Sequence, residues 1–519
     1  MTRFFEQLDD LASITGERGL PLWLDRAIFV FLVLTFVSAP HSIAATQIAW
    51  LTGMAIWFLR LAVRPRPKLS FRWIDAALWA FFVWSAITSV FSYAPDISID
   101  KLRGTAIFLI FYFAYYNLRS RRAVYFLSFA MIVSCMVNVA WTPVQRWRGR
   151  GVEVSGVAPG GPLGKALLWN GDTLLEADGV KISTPDALAA AVENKEITKV
   201  KVYRPDYYFT VDVKRSDLLV GESSAQKLGF LEWKKSRNWR STGFYGHYTT
   251  YAEVLQLIGS LAFGLLVAAL LSRRKRANKL ADAQPPSLGV TVGLVFAIAG
   301  IALALLLTVT RASQLAFMIS SAFVVVIGAG RRWLLAALGI GLPIVVVGLL
   351  FLQQSRQVGF FDANDDSIKW RETVWHEGFD LWKESPRHMI VGVGMDSIKR
   401  YADEWRLFDE GRLPVGHFHS TPLQLLVERG IPALLIWLWI LGIYIFILRR
   451  GLLRNRAINA DWKRDGILLG CLGGAIGFFA SGLVHYNLGD QEVAMAFFLL
   501  MALGLRAAES FPETVVNDT

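Results

Sequence analysis

The chain has 519 residues, 54% of them hydrophobic, with 19 tryptophans and a formal charge of +12. Soluble globular chains hold about 45–50% apolar residues, so the excess points to the membrane. The basic residues cluster in short segments between apolar runs, a positive-inside pattern that sets nucleic acid aside as a partner. The two cysteines, Cys135 and Cys471, both lie inside apolar runs, which leaves no disulfide framework and no zinc-ligand spacing.

The opening "MTRFFEQLDDLASITGERG" does not read as a cleavable signal, and the first apolar run reads as an uncleaved anchor. A spanning helix needs roughly 20 mostly apolar residues. Candidates fall near 24–42, 43–63, 73–92, 104–118, 123–143, 250–271, 288–309, 313–329, 333–352, 422–448, 466–486 and 492–508. The expected fold class is therefore an all-α polytopic membrane protein of about 12 transmembrane helices with a small α+β insertion. Five connectors, "RLAVRPRPKLSFR", "NLRSRR", "SRRKRANK", "GRR" and "RRGLLRNRAINADWKR", follow the even-numbered spans two to ten. The positive-inside rule makes all five cytoplasmic, and with them both termini. The expected organisation is spans 1–5 in 1–144, a soluble domain in 145–216 and an amphipathic linker in 217–249. Spans 6–9 then occupy 250–352, a large outward loop 353–421, and spans 10–12 with a cytoplasmic tail 422–519.

In the first outward loop "VEVSGV" alternates as a strand, "PGGP" reads as a turn and "DALAAAVEN" as a short amphipathic helix. "KVKVYR" and "FTVDVKR" predict a hairpin with Pro205 and Asp206 at its turn. This order resembles a bacterial PDZ domain, carried by Val157, Pro159, Gly160, Pro162, Gly164, Ala166 and Leu167, then Gly171-Asp172, Asp178-Gly179 and Arg204. The resemblance implies a docking or structural module. It leaves open capture of a periplasmic peptide by a carboxylate-binding loop, drawn here from "RWRGRG" with Arg148, Arg150 and Gly151.

A metalloprotease helix needs His-Glu-x-x-His, and "HEGFD" at His376 lacks the second histidine. Three other places gather polar residues on the outward side. Arg311 in "LLLTVTRASQLAF" stands between two apolar runs, as an interfacial anchor or a cavity residue. "DDSIKWRETVWHEGFDLWK" predicts a surface helix over about 367–384, its apolar face formed by Ile368, Trp375, Phe379 and Trp382, with Arg371 near its start. The acidic "DANDD" ahead of it reads as a helix N-terminal flank or a divalent-ion site. In "GHFHSTPLQLLVERG" Thr421 is expected to cap a helix from 422 in a Thr-x-x-Gln box with Gln424. His419 then stands before the helix N-terminus, where the dipole keeps an imidazole neutral and able to accept a proton.

Twelve spans with a large outward loop before span ten resemble the O-antigen ligase family and the related polymerases. The family pattern is His, then Asn, Ser or Gln, nine residues, and Gly. Here it is His419-Ser420, Thr421 to Arg429, then Gly430, Ile431, Pro432 and Ala433, with Ala433 where the family often has Gly. Arg311 in "TVTRASQLAF" is similar to the family's Thr-x-Ser-Arg arginine, and Arg371 to the arginine that opens its R…W…A…P…G-x-G stretch. "GFYGHYTTYAEVL", with His247, is similar to the Gly-rich approach to span six.

The resemblance implies a GT-C-like fold in a bacterial inner membrane, with the large loops periplasmic. It implies glycan transfer from undecaprenyl diphosphate to a sugar hydroxyl of lipid A–core, with no metal or other cofactor. His419 would be the general base and Arg311 and Arg371 the diphosphate ligands, with His417, Ser420 and His247 as neighbours. Its register selects His419 over His417. A surface-polysaccharide polymerase, a transferase that glycosylates protein, and a non-enzymatic transporter or scaffold are the competing readings. Transporters place polar residues at mid-membrane, whereas here they gather at the outer lip.

Overall fold

A computed structural model describes residues 2–14, 18–204, 207–237, 239–277, 285–333, 335, 366–457 and 461–509. It divides into two compact units, Ala140–Ser241 and the helical remainder. Among the described residues, nine helices are long and apolar enough to cross a membrane. This is the architecture of a polytopic membrane protein.

The nine are Leu20–Ser38, Trp73–Val90, Arg121–Arg148, Tyr248–Arg274, Leu288–Thr308, Arg311–Ala329, Thr421–Ala457, Trp462–Gly482 and Gln491–Ala508. The expected second span is a 20-residue helix, Ile43–Ala62, less apolar because Arg60 sits in its last turn. Arg60 is buried there against Asp25, with Nε 3.0 Å from the carboxylate, and Arg119 approaches the same carboxylate at 2.7 Å. The expected fourth span, 104–118, is not one helix. It divides into Pro95–Thr105, a single tight turn at Ala106–Phe108, and Leu109–Asn117. Nine residues rise only about 14 Å, short of the ~30 Å hydrocarbon layer. The expected ninth span, 333–352, apart from Trp333 and Leu335, and the "DANDD" side chains lie outside the described residues.

Glycines set how closely the helices behind the site approach. Gly264 on Tyr248–Ala277 meets the backbone of Gly470 on Trp462–Gly482, where a Cβ on either glycine would overlap the backbone of the facing helix. Small residues allow this contact in a membrane, where dispersion rather than hydrophobic exclusion drives helix association. It brings the start of one helix beside the end of the other.

Thr421–Ala457 is two helices joined at Gly430, whose φ of 71° and ψ of −178° are non-helical. A side chain at Gly430 would run into the carbonyl of Ile390, so the position requires glycine on both counts. Pro432 follows in the first turn of the second half, where its missing N–H costs no hydrogen bond. The "GVG" stretch lies along the first half. Val393 N–H donates to Val427 O at 2.8 Å and Gly394 N–H to Glu428 O at 2.9 Å. Gly392 has no room for a Cβ beside Glu428.

In the Ala140–Ser241 unit the strands are β1 Arg150–Ser155, β2 Thr173–Ala177, β3 Val180–Lys181, β4 Ile197–Arg204, β5 Tyr207–Lys214 and β6 Glu232–Ser236. All pairings are antiparallel, in the order β5-β4-β2-β1-β6, with β3 on β2. Val152, Val154, Leu174, Val200 and Val202 alternate inward and are fully buried with Leu188 of the helix Pro185–Glu193. The predicted hairpin is β4–β5, and its turn residues 205–206 lie outside the described residues. One correction falls here. The stretch 217–249, expected as a linker, contributes the helix Ser224–Leu228 and strand β6 to this unit. Leu228 and Phe230 are buried in its core, an anchorage that a surface-lying linker would lack.

Candidate active site

The segment Gly416–Ser420 turns on one anchored residue. Phe418 is fully buried, its ring against Gly378, where an added Cβ would come within 2.8 Å of it. Its carbonyl accepts from Trp375 Nε1 at 2.7 Å and its N–H donates to Gln424 Oε1 at 2.8 Å. The imidazoles of the flanking His417 and His419 come together with ring centroids 4.1 Å apart. His419 has a φ of 46°, a left-handed conformation that histidine tolerates better than most side chains but that still carries strain. Its N–H donates to His417 Nδ1 at 3.2 Å, and Trp370 packs edge-on to its ring at 4.7 Å.

The helix starts one residue earlier than expected. Thr421 is its first residue, and Ser420 Oγ takes the capping position, 3.5 Å from Leu423 N. Thr421 Oγ1 instead donates to His485 O at 3.0 Å. Gln424 reaches back past the cap to Phe418, so the expected Thr421–Gln424 box is replaced by a longer bridge that fixes the histidine loop.

His417 and His419 line a cavity of about 390 Å³ in the helical unit. His247 and His485 line it as well, so four of the seven histidines in the chain share one space. Cationic walls come from Lys101, Lys399 and Arg429, and acidic ones from Glu253, Asp396 and Asp490. Lys101 and Lys399 bind Asp396 at 2.8 and 3.0 Å. Burial opposes ionisation of Asp396, but the two ammonium groups outweigh it and hold the carboxyl below its usual range. Arg429 is buried, with Nη1 3.2 Å from Ser85 Oγ and Nη2 3.3 Å from the Tyr486 hydroxyl. Asp490, capping Gln491–Ala508, is pushed up to about 8, chiefly by burial.

Electrostatics separate the two loop imidazoles from ordinary histidines. Burial, followed by the charges of His417 and then Arg371, pushes His419 down to about 2. Burial and Lys399 push His417 down to about 4. Both are neutral at physiological pH. The guanidinium whose charge lowers His419 belongs to Arg371, on the helix Asp366–Lys383.

Residues 294–438 match the family model described as O-antigen ligase. Over that segment the chain is similar to the O-antigen ligase family. No curated protein matches the chain. The matched segment holds Arg311, Arg371, His417, His419 and Ser420, and leaves His247, Glu253 and His485 outside it. With nine long apolar helices among the described residues, the chain has the architecture of a multi-pass membrane protein, and one segment of it is similar to the O-antigen ligases.

Within the matched segment the expected residues are not equally close to the cavity. His417 and His419 line it, Ser420 supports the loop from behind, and Arg371 acts on His419 without lining the space. Arg311 is the first residue of Arg311–Ala329 and is not among the lining residues. The amphipathic helix differs in its buried face. Val374 and Leu381 point into the core while Phe379 is 44% exposed, its ring tilted against Trp382 at 5.2 Å. In the sheet unit, Arg150 lies 4.2 Å over Trp239 and 4.8 Å over Tyr203 and donates to the Tyr208 hydroxyl at 2.9 Å. Arg148 lies over Trp141, and Gly151 is tight against the Leu174 carbonyl.

Sequence reasoning missed Glu253, His485 and Arg429. Their signal was there: each is an ionisable residue inside or at the lip of an apolar run, where a charge is costly without a partner or a purpose.

Proposed function

We propose that this chain transfers a glycan from undecaprenyl diphosphate to a sugar hydroxyl of lipid A–core, at the periplasmic face of the inner membrane. Both termini then lie in the cytoplasm. The observation that carries the reading is a half-buried His419 that lines a cavity with charged walls, feels the charge of Arg371 and lies inside the segment similar to the ligase family.

His419 takes the proton of the acceptor hydroxyl as that oxygen bonds to the anomeric carbon. The bond from that carbon to the diphosphate breaks, its electron pair leaves on the diphosphate oxygen, and in-line attack inverts the anomeric configuration. General-base help of this kind contributes roughly 10²–10⁴-fold. Arg311 and Arg371 hold the diphosphate, because a guanidinium offers a planar two-pronged donor to phosphate oxygens. Burial depresses His419 most and nearby positive charge adds to it; the diphosphate's negative charge offsets the second of these, so donor binding raises its basicity when a base is needed.

We read the Ala140–Ser241 unit as a PDZ-like docking module. The test of the whole reading is complementation of a ligase-null and a polymerase-null strain, scored by the lipopolysaccharide ladder. Glycan attachment restored in the first strain alone is the expected result. Restored chain extension in the second overturns the ligase reading.

A further inference from the structure

Another of the cavity's imidazoles enters from the turn after Trp462–Gly482, outside the segment that matches the family. His485 is 7% exposed, and its Nδ1 lies 2.7 Å from Glu253 Oε1. Glu253 is 2% exposed, near the start of the spanning helix Tyr248–Arg274, and its Oε2 accepts from Ser481 Oγ at 3.2 Å. The His485 carbonyl accepts from both the N–H and the hydroxyl of Thr421, at 3.1 and 3.0 Å. Thr421 stands two residues after His419, so the two imidazoles share one rigid frame.

The carboxylate can only accept, so Nδ1–H donates to it and Nε2 is left as the acceptor nitrogen of the ring. Among the described residues no other hydrogen bond holds that ring, and His485 and Glu253 both line the cavity. A tie between helix and turn needs no carboxylate, whose burial is costly unless it is matched by a charge. The pair fits a role in which the imidazole becomes charged and the carboxylate stabilises it, as in carboxylate–histidine arrangements generally.

His419 needs such a partner. Its neighbours are imidazoles and a guanidinium, so an imidazolium formed there is poorly held. We propose that the His485–Glu253 dyad is the proton store of this cavity, receiving through His419 the proton that the acceptor hydroxyl releases. The idea rests on His419 as the base. In balance, the hydroxyl proton moves to His419 as the new glycosidic bond forms and the diphosphate leaves with its electron pair. The proton then passes to His485 Nε2, giving an imidazolium–carboxylate pair that returns it to water on product release.

The test uses the full-length protein in lipid nanodiscs with a lipid-linked glycan donor and a lipid A–core acceptor. His485→Gln lowers kcat on the order of 10²-fold with KM for both substrates nearly unchanged. Glu253→Gln keeps shape but not charge, Glu253→Asp keeps charge but not shape, and Asp retains more activity than Gln. Parental kcat in His485→Gln, or the reverse order of the two Glu253 variants, overturns the proposal. Should His485→Gln fail to fold, the Glu253 pair decides alone. His419→Ala is measured alongside. Its inactivity with parental His485→Gln leaves the base reading and removes the dyad, whereas its full activity with inactive His485→Gln removes His419 and leaves the dyad taking the proton directly.

Discussion

Two short segments bring imidazoles to the same cavity and treat their charge in opposite ways. Gly416–Ser420 is strained at His419, sets two imidazoles ring to ring, and supplies a nearby guanidinium. Everything around His419 opposes protonation. The turn that carries His485 gives its ring a buried carboxylate at 2.7 Å, and its carbonyl locks onto the helix that follows His419. One wall keeps an imidazole neutral while the other is built to stabilise an imidazolium. A single base would have to compromise between readiness to accept a proton and capacity to keep it; two imidazoles in different settings divide those demands.

The comparison breaks most visibly at His419. His419→Ala removes the base but little packing, since the buried anchor of the loop is Phe418. Glycan transfer in nanodiscs is expected to fall about 10²–10⁴-fold while the protein stays folded and membrane-inserted. Transfer at the parental rate would remove His419 from the chemistry. Next in size is Gly430→Ala. It adds a Cβ at a positive φ and drives it into the Ile390 carbonyl. A cost on the order of 3 kcal/mol is expected in detergent unfolding, with loss of transfer because the half-helix that begins at Thr421 shifts. An unchanged unfolding midpoint would show that the loop does not depend on this joint.

Arg371→Lys sharpens the comparison by keeping charge near His419 while removing the planar fork. Turnover is expected to drop about tenfold or more, with donor KM rising, because a lysine cannot grip a diphosphate with two parallel donors. A lysine variant that turns over like the parent means that Arg371 acts on His419 through charge alone.

The strained wall was legible in the sequence because its geometry is local. A nine-residue interval between Ser420 and Gly430 sets the length of one short helix, and the glycine marks the close approach that ends it. The surface helix at Asp366–Lys383 and the hairpin β4–β5 were read from periodicity for the same reason. The other wall is not local. Glu253 and His485 are 232 positions apart and meet because Gly264 and Gly470 let two helices pack backbone to backbone. Periodicity carries no information about that partnership. Thr421 misled in a related way, since its hydroxyl was taken as a cap when a partner 64 residues away had claimed it. The broken fourth span failed because apolar composition alone does not distinguish a spanning helix from a buried, kinked one.

The smallest predicted effect concerns stability rather than turnover, and it follows from the same crowding. Burial, with nearby positive charge, pushes His417 down to about 4 and His419 down to about 2 in the folded chain, from an ordinary value of 6.5. Below about 6.5 the unfolded chain binds protons that the folded chain refuses, so their contribution to stability is complete above that pH. It declines as the medium is acidified, down to about 4 for His417 and about 2 for His419. Each imidazole contributes at most about 1.4 kcal/mol per pH unit in its window. The unfolding temperature in detergent should therefore fall between pH 7 and pH 5, and His417→Gln should fall less steeply than the parent because Gln has no proton to gain. Equal slopes for parent and variant would mean that His417 is not held neutral by burial, and the contrast between the two walls would then rest on the Glu253 carboxylate alone.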